Sequence, residues 1–345
     1  MIAGVGMSST SRFLIVWVAM LLVLAGCTEH LAPPGPRIMQ PAVADGAFVM
    51  PDGARLPYRT WLPEGAPKAV VLALHGMNDS RDAWDYPGPD FAKAGLAVFA
   101  PDQRGFGATE ARGFWPGTKG LVDDVRTMTA LLRARYPSVR LILMGESMGA
   151  AVLMVAATSP RPPVADGYVL IAPAVWGRSK MNPFMRAALW TAGKLTPGWR
   201  MTGRGFVKIR ASDNIEALRR LSKNPLTIHG TRVDAIRGLV DLMDEALAAA
   251  PRFAAPTLFL YGGHDQLIPG RATEAIWGAL PAGAVRAFYP SGYHLLLRDL
   301  GRSVPIGDIA TWVEHPDWGG LASGADRDAA TLMKSGIKPP GEPKP

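Results

Sequence analysis

The segment Leu141-Ile142-Leu143-Met144-Gly145-Glu146-Ser147-Met148-Gly149-Ala150 limits the possible folds of this chain more than any other. Its first half is apolar and reads as a buried strand, its second half opens a helical run, and between them stands G-x-S-x-G. A strand passes into a helix this abruptly only where the residues flanking the serine lack side chains, which accounts for Gly145 and Gly149. The turn leaves the Ser147 hydroxyl exposed at the carboxyl end of the strand, where open parallel sheets meet their ligands. Ser147 is therefore the candidate nucleophile.

A serine hydroxyl attacks well only when a base takes its proton and an acid orients that base. Downstream, Tyr261-Gly262-Gly263-His264-Asp265 puts an aspartate after a strand end, and Tyr289-Pro290-Ser291-Gly292-Tyr293-His294 puts a histidine after the last strand. Nucleophile, acid, histidine is the chain order that goes with a serine on such a turn, so Asp265 and His294 are the candidate acid and base. His264 adjoins the acid and is the alternative base, whereas His30, His229 and His315 read as structural or solvated. Upstream, Leu74-His75-Gly76-Met77 ends another strand with a backbone bend. The N–H groups of Met77 and Met148 are the candidate donors to an oxyanion.

The rest of the chain fits a large α/β unit. At 345 residues, 48% hydrophobic and 19% charged, it can bury a sizeable core, which excludes a disordered or fibrous chain. From residue 46, short apolar runs alternate with helical patterns, the mark of a mainly parallel sheet flanked by helices. Ala47–Met50 and Leu56–Leu62 read as an opening hairpin about Pro51-Asp52-Gly53. Ala69–Leu74, Leu96–Ala100, Val139–Met144, Tyr168–Ile171, Thr257–Tyr261 and Val285–Tyr289 read as buried strands, and Leu121–Arg135 and Ser147–Ala157 as helices. Residues 46–318 form the expected domain, with a mostly helical cap inserted at about 174–250 and a loose tail over 319–345.

These motifs resemble the α/β-hydrolase superfamily, and within it the serine hydrolases of the monoacylglycerol lipase and lysophospholipase group. The resemblance is carried by His75-Gly76, Pro101-Asp102-Gln103-Arg104-Gly105-Phe106-Gly107, Gly145-Glu146-Ser147-Met148-Gly149, Gly263-His264-Asp265 and Gly292-Tyr293-His294. It implies hydrolysis of a carboxylic ester through an acyl-enzyme, with no metal or organic cofactor. Gln103 stands where many relatives carry histidine, at a position the resemblance makes structural. The resemblance covers the core and not the cap, which helps select the substrate. Single-chain lipids are the expected substrates; a short-chain ester, a thioester, a peptide or transfer to another acceptor are alternatives on the same fold, and a non-catalytic scaffold is a rival of another class.

The N-terminus reads as an address. Arg12 precedes the apolar stretch Phe13–Ala25, too short for the roughly 20 residues of a membrane span, and Leu24-Ala25-Gly26-Cys27 follows. This resembles a bacterial lipoprotein signal peptide over residues 1–26, with lipid attached at Cys27, the single cysteine of the chain. An ordinary signal or an uncleaved anchor is the alternative. Residues 27–45 read as the lipid-bearing cysteine and a proline-rich linker with Pro33, Pro34, Pro36 and Pro41, whose eighteen residues 28–45 extend up to about 55 Å. Thr28, which is not aspartate, points by the same resemblance to the outer membrane, on its periplasmic side. The net charge of +8 is concentrated in the cap, where Ala174–Gly230 holds eleven basic and two acidic residues interleaved with Met181, Phe184, Trp190, Leu195 and Trp199. That pattern suits an anionic lipid surface, or equally a solvated cap whose apolar residues cover the site. Nucleic acid is not an expected partner of an exported lipoprotein.

Overall fold

The computed structural model describes residues 29–202, 209–315 and 320–335. Cys27 and the stretch before it lie outside the described residues.

Nine strands form one sheet in the order β1-β2-β3-β5-β4-β6-β7-β10-β11. They are β1 (Ala42–Ala44), β2 (Ala47–Val49), β3 (Arg55–Trp61), β4 (Ala69–Leu74), β5 (Leu96–Pro101), β6 (Arg140–Glu146), β7 (Gly167–Ile171), β10 (Thr257–Gly262) and β11 (Val285–Tyr289). From β5 to β11 every pairing is parallel, and the β1–β2–β3 meander joins β5 antiparallel with Tyr58 opposite Pro101. The central strands are continuous apolar runs because both their faces are covered. Along β4 the side chains alternate between two cores, Val70, Leu72 and Leu74 entering one and Ala69, Val71 and Ala73 the other.

The first core is closed by helices α2 (Thr118–Arg135), α3 (Met148–Ala157), α6 (Val233–Ala249) and α7 (Gly270–Ala279), the second by α1 (Pro87–Lys93) and α8 (Ser303–Glu314). Between β7 and α6 the cap carries α4 (Pro183–Leu195), α5 (Ile215–Lys223) and the two-stranded pair β8 (Arg200–Met201) and β9 (Thr231–Arg232). Asn182 and Asn214 cap α4 and α5 by accepting from the N–H of Met185 and Ala217. β4 pairs with β5 on one side and β6 on the other, so the chain reverses its winding there, and the carboxyl ends of β4 and β6 open the crevice where such sheets hold ligands.

Three boundaries differ from the sequence reading. The expected cap runs to about 250, yet α6 is a core helix, since Leu242, Met243, Ala246 and Ala249 pack in the same core as α3; the inserted layer is residues 174–232. The expected tail from 319 contains α9 (Ala325–Ser335), whose Ala325, Ala329 and Leu332 are buried at helical spacing and which packs against β11. Its many charges disguise a narrow apolar stripe. The expected linker 27–45 is not a free spacer over its described part: β1 belongs to the sheet, and Ala32, Ile38 and Met39 donate backbone hydrogen bonds to Trp115 and Pro51.

Candidate active site

Ser147 joins β6 to α3 with φ 53°, a left-handed conformation that is costly for a residue with a Cβ. The turn is held by hydrogen bonds from Ser147 N–H to Ile171 O at 2.9 Å and from Ala174 N–H to Ser147 O at 3.0 Å. The flanking glycines are required by space. A Cβ on Gly145 would lie 2.5 Å from Ala150 N, and one on Gly149 2.5 Å from Leu74 O. Helix, elbow and the end of β4 are thus pressed together through backbone alone. Ser147 is half-buried, its neighbours Glu146 and Met148 fully so.

Asp265 follows β10 and His294 follows β11, and the structure brings them together with His294 Nδ1 2.8 Å from Asp265 Oδ2. The other carboxylate oxygen accepts from the N–H of Leu267 at 2.8 Å and of Ile268 at 2.9 Å, so the carboxylate is held in one orientation toward the imidazole. Burial pulls the His294 pKa down, and the Asp265 charge and hydrogen bond more than offset it, leaving the pKa raised above 6.5. His264 is turned elsewhere: its ring packs edge-on against Tyr293 with centroids 5.1 Å apart.

Across the crevice, a Cβ on Gly76 would lie 3.3 Å from Ser147 Cβ, so the chain after β4 runs directly beside the nucleophile turn, with Met77 next in line. Met148 is the first residue of α3, and the N–H of a first helical residue has no partner within its helix. The β4 end is clamped by Gln103: its backbone N–H donates to His75 Nε2 at 3.0 Å and its side-chain amide to His75 O at 2.7 Å. Burial holds His75 below its ordinary pKa, so it is neutral, with Nδ1–H donating to Gly76 O at 2.8 Å. The neighbouring motif residue Arg104 is forked by two carboxylates, Asp52 and Asp124, and braces the loop after β5.

Beneath the elbow lies a charged cluster that the sequence reading missed. Arg298 donates to Asp79 Oδ2 at 2.6 Å and to Glu146 Oε1 at 3.0 Å, with all three residues buried. Burial raises the Glu146 pKa, against the pull of the arginine. Asp299 next to it accepts from Tyr293 N–H at 2.7 Å and from Ser212 Oγ at 2.6 Å, its pKa pushed up to about 6, chiefly by burial. Leu295 N–H donates to Ala211 O, and Asn214 Nδ2 to Arg298 O. The loop carrying His294 is therefore tied both to the base of the nucleophile turn and to the cap segment 211–214. No motif marks these residues, and the one available signal was the presence of charges within an apolar strand end and immediately after His294.

Residues 65–301 match the family described as serine aminopeptidase, S33. The chain belongs to this family. It is 26% identical over 273 residues to the monoacylglycerol lipase of Mycolicibacterium smegmatis, covering 78% of this chain and 96% of that one. With the monoglyceride lipase of Rattus norvegicus it shares 26% identity over 280 residues, covering 78% and 89%. Among solved structures, the monoacylglycerol lipase of Paleococcus ferrophilus superposes with a TM-score of 0.63 at 21% identity, over 76% of this chain and 99% of that one. The soluble monoglyceride lipase variant of Saccharomyces cerevisiae, in complex with a substrate analog, gives 0.65 at 17%, over 82% and 98%. The fold is thus the α/β-hydrolase fold, and the family and relatives make the chain an enzyme, a serine hydrolase of the carboxylic ester class.

Proposed function

We propose that this enzyme hydrolyses esters of single-chain lipids, monoacylglycerols or lysophospholipids, through an acyl-enzyme. The observation that carries the reading is the arrangement of four strand ends: the strained Ser147 turn lies beside the Gly76–Met77 bend, Asp265 and His294 pair across the ends of β10 and β11, and Arg298–Glu146 ties the His294 loop to the Ser147 turn. Likeness to monoacylglycerol lipases along nearly their whole length supports the substrate class.

In this mechanism His294 Nε2 takes the proton of Ser147 as Oγ bonds to the acyl carbon. The carbonyl oxygen becomes an oxyanion facing the N–H groups of Met77 and Met148, donors of a kind worth about 3–4 kcal/mol of barrier when one is removed. The bond to the leaving alkoxide then breaks, and His294 returns the proton to it. Water repeats the sequence on the acyl-enzyme and releases the fatty acid. Asp265 accepts from Nδ1–H and keeps the imidazole in the tautomer that presents Nε2 to the serine.

The same reading places the enzyme on the periplasmic side of the cell envelope, attached by lipid at Cys27, with the outer membrane as the site. Leu24-Ala25-Gly26-Cys27 after an apolar stretch supports it. So does the cap, where Phe184 is 82% and Trp190 67% exposed on α4.

Fatty-acid release from a panel of monoacylglycerols, lysophospholipids and short-chain esters tests the proposal. Release confined to one single-chain lipid class and lost in Ser147→Ala is the expected result. Release only from short esters, or cleavage of N-terminal residues from peptides instead, would overturn the substrate assignment.

A further inference from the structure

The N-terminal segment is seated on the domain from its first described residue. Glu29 pairs with Arg237 of α6, and His30 N–H donates to the buried carboxylate of Asp234 at 3.2 Å while its ring packs edge-on against Phe114. Ala32 N–H donates to Trp115 O at 2.9 Å, Gly35 N–H to Asp52 Oδ2 at 2.9 Å, and Pro34 packs so closely on α2 that a Cβ at Gly120 would meet its Cδ at 2.8 Å. The exposed ion pair adds little by itself. The buried acceptor and the backbone bonds give the segment a fixed path.

That path starts beside the cap. Arg237, which meets Glu29 on one side, is packed under α4 on the other: a Cβ on Gly193 would lie 3.3 Å from Arg237 Cδ. α4 turns Ala192 and Gly193 toward the protein and Phe184, Trp190 and Leu195 to solvent. Trp199 and Met201 continue the exposed apolar surface. From Arg178 to Thr202 there are five basic residues and no acid, and Lys180, Arg186, Lys194 and Arg200 are exposed.

We propose that residues 29–35 are a strap that holds the lipid-bearing N-terminus against α4, so that the domain lies with its cap on an anionic bilayer. The inference rests on lipid attachment at Cys27 as proposed above. Cys27 stands two residues before Glu29, and two residues span at most about 7 Å. An acyl chain entering the bilayer at Cys27 therefore brings the Arg237 end of α6, and α4 with it, to the headgroups. A helix lying in such an interface buries its apolar face about 5–10 Å deep and keeps its cations at the phosphates, which fits the aromatic and basic composition of α4. The spacer of about 55 Å expected from the prolines is replaced by a short, oriented mount.

The test uses the full lipidated chain in vesicles of phosphatidylglycerol and phosphatidylethanolamine containing a brominated lipid. A fluorophore is attached at Leu195→Cys on α4, or at Val164→Cys, which is exposed before β7 at the opposite end of the sheet. Mass spectrometry of the N-terminal peptide reports acylation of Cys27. The expected result is quenching several-fold stronger at position 195 than at 164, a contrast that shrinks when about twenty Gly and Ser residues, spanning about 25 Å on average, are inserted between Thr28 and Glu29. An acylated chain with equal quenching at both positions overturns the orientation alone, as would contact of α4 with a second copy or another protein instead of lipid. A contrast untouched by the insertion assigns orientation to the cap by itself and overturns the strap. A chain with Cys27 unmodified overturns the anchoring reading and this inference with it.

Discussion

Arg298 and Glu146 are paired at 3.0 Å inside the protein, one just after the His294 position and the other immediately before Ser147. The contact links the two loops that must stay in register for proton transfer, and Asp79 closes the cluster from the end of β4.

Removing the arginine leaves two buried carboxylates without a counter-charge. Arg298→Met is expected to cost about 3–5 kcal/mol of stability. Glu146 already has a raised pKa because of burial. A group whose folded pKa is raised favours the folded state when protonated, so the deficit should be largest near pH 8 and shrink toward pH 5. Denaturant unfolding at the two pH values checks this; an equal deficit at both would contradict it.

The raised pKa of His294 fixes the acid limb of the rate profile. The base must be neutral, so kcat/KM should fall about tenfold per pH unit below a midpoint that lies above 6.5. Asp265 is what offsets the effect of burial, so Asp265→Asn should move the midpoint down as well as lower kcat by about 10⁴. A midpoint unmoved by the substitution would mean that Asp265 does not face the catalytic imidazole.

Asp299 ties the His294 loop to the cap through Tyr293 N–H and Ser212 Oγ. Asp299→Ala should cost about 2 kcal/mol and reduce kcat, while Asp299→Asn keeps an acceptor for Tyr293 and most of the activity. With the carboxyl pKa pushed up to about 6, well above the usual aspartate range, its ionisation costs stability above that pH. Wild type should therefore gain stability relative to Asp299→Asn as pH falls from 7 to 4, as read by thermal melting at several pH values.

Gly149→Ala puts a methyl group 2.5 Å from Leu74 O and 2.8 Å from His75 O, both unyielding backbone atoms. The end of β4 must move away from α3, and with it the Met77 amide. A loss of roughly 10²–10³ in kcat is expected from steady-state kinetics. An unchanged kcat would show that the Met77 bend plays no part in the reaction.

The sheet and the site differ in how far they could be read from residues alone. β4, β5 and β6 were legible because strands buried on both faces are unbroken apolar runs, and β4 and β11 run between the residues expected. Asp265 and His294 were legible as neighbours because each follows a strand end next to glycine, and those strands are adjacent in the sheet. The Asp79–Arg298–Glu146 cluster was not, since its partners are 219 and 152 positions apart and a lone charge carries no sign of burial. Prolines 33 and 34 read as part of an extended linker, yet proline packs well against the bare backbone of a helix glycine such as Gly120. α6 was absorbed into the cap because its sequence says that it is amphipathic and not what its apolar side meets.

The central claim is that Ser147 is an activated nucleophile for ester hydrolysis, and reaction with a fluorophosphonate tests it most directly. One phosphonyl group on the Ser147 peptide by mass spectrometry, with loss of monoacylglycerol hydrolysis in the same proportion and neither in Ser147→Ala, is the predicted result. An unmodified Ser147 in a chain that still releases fatty acid would contradict it.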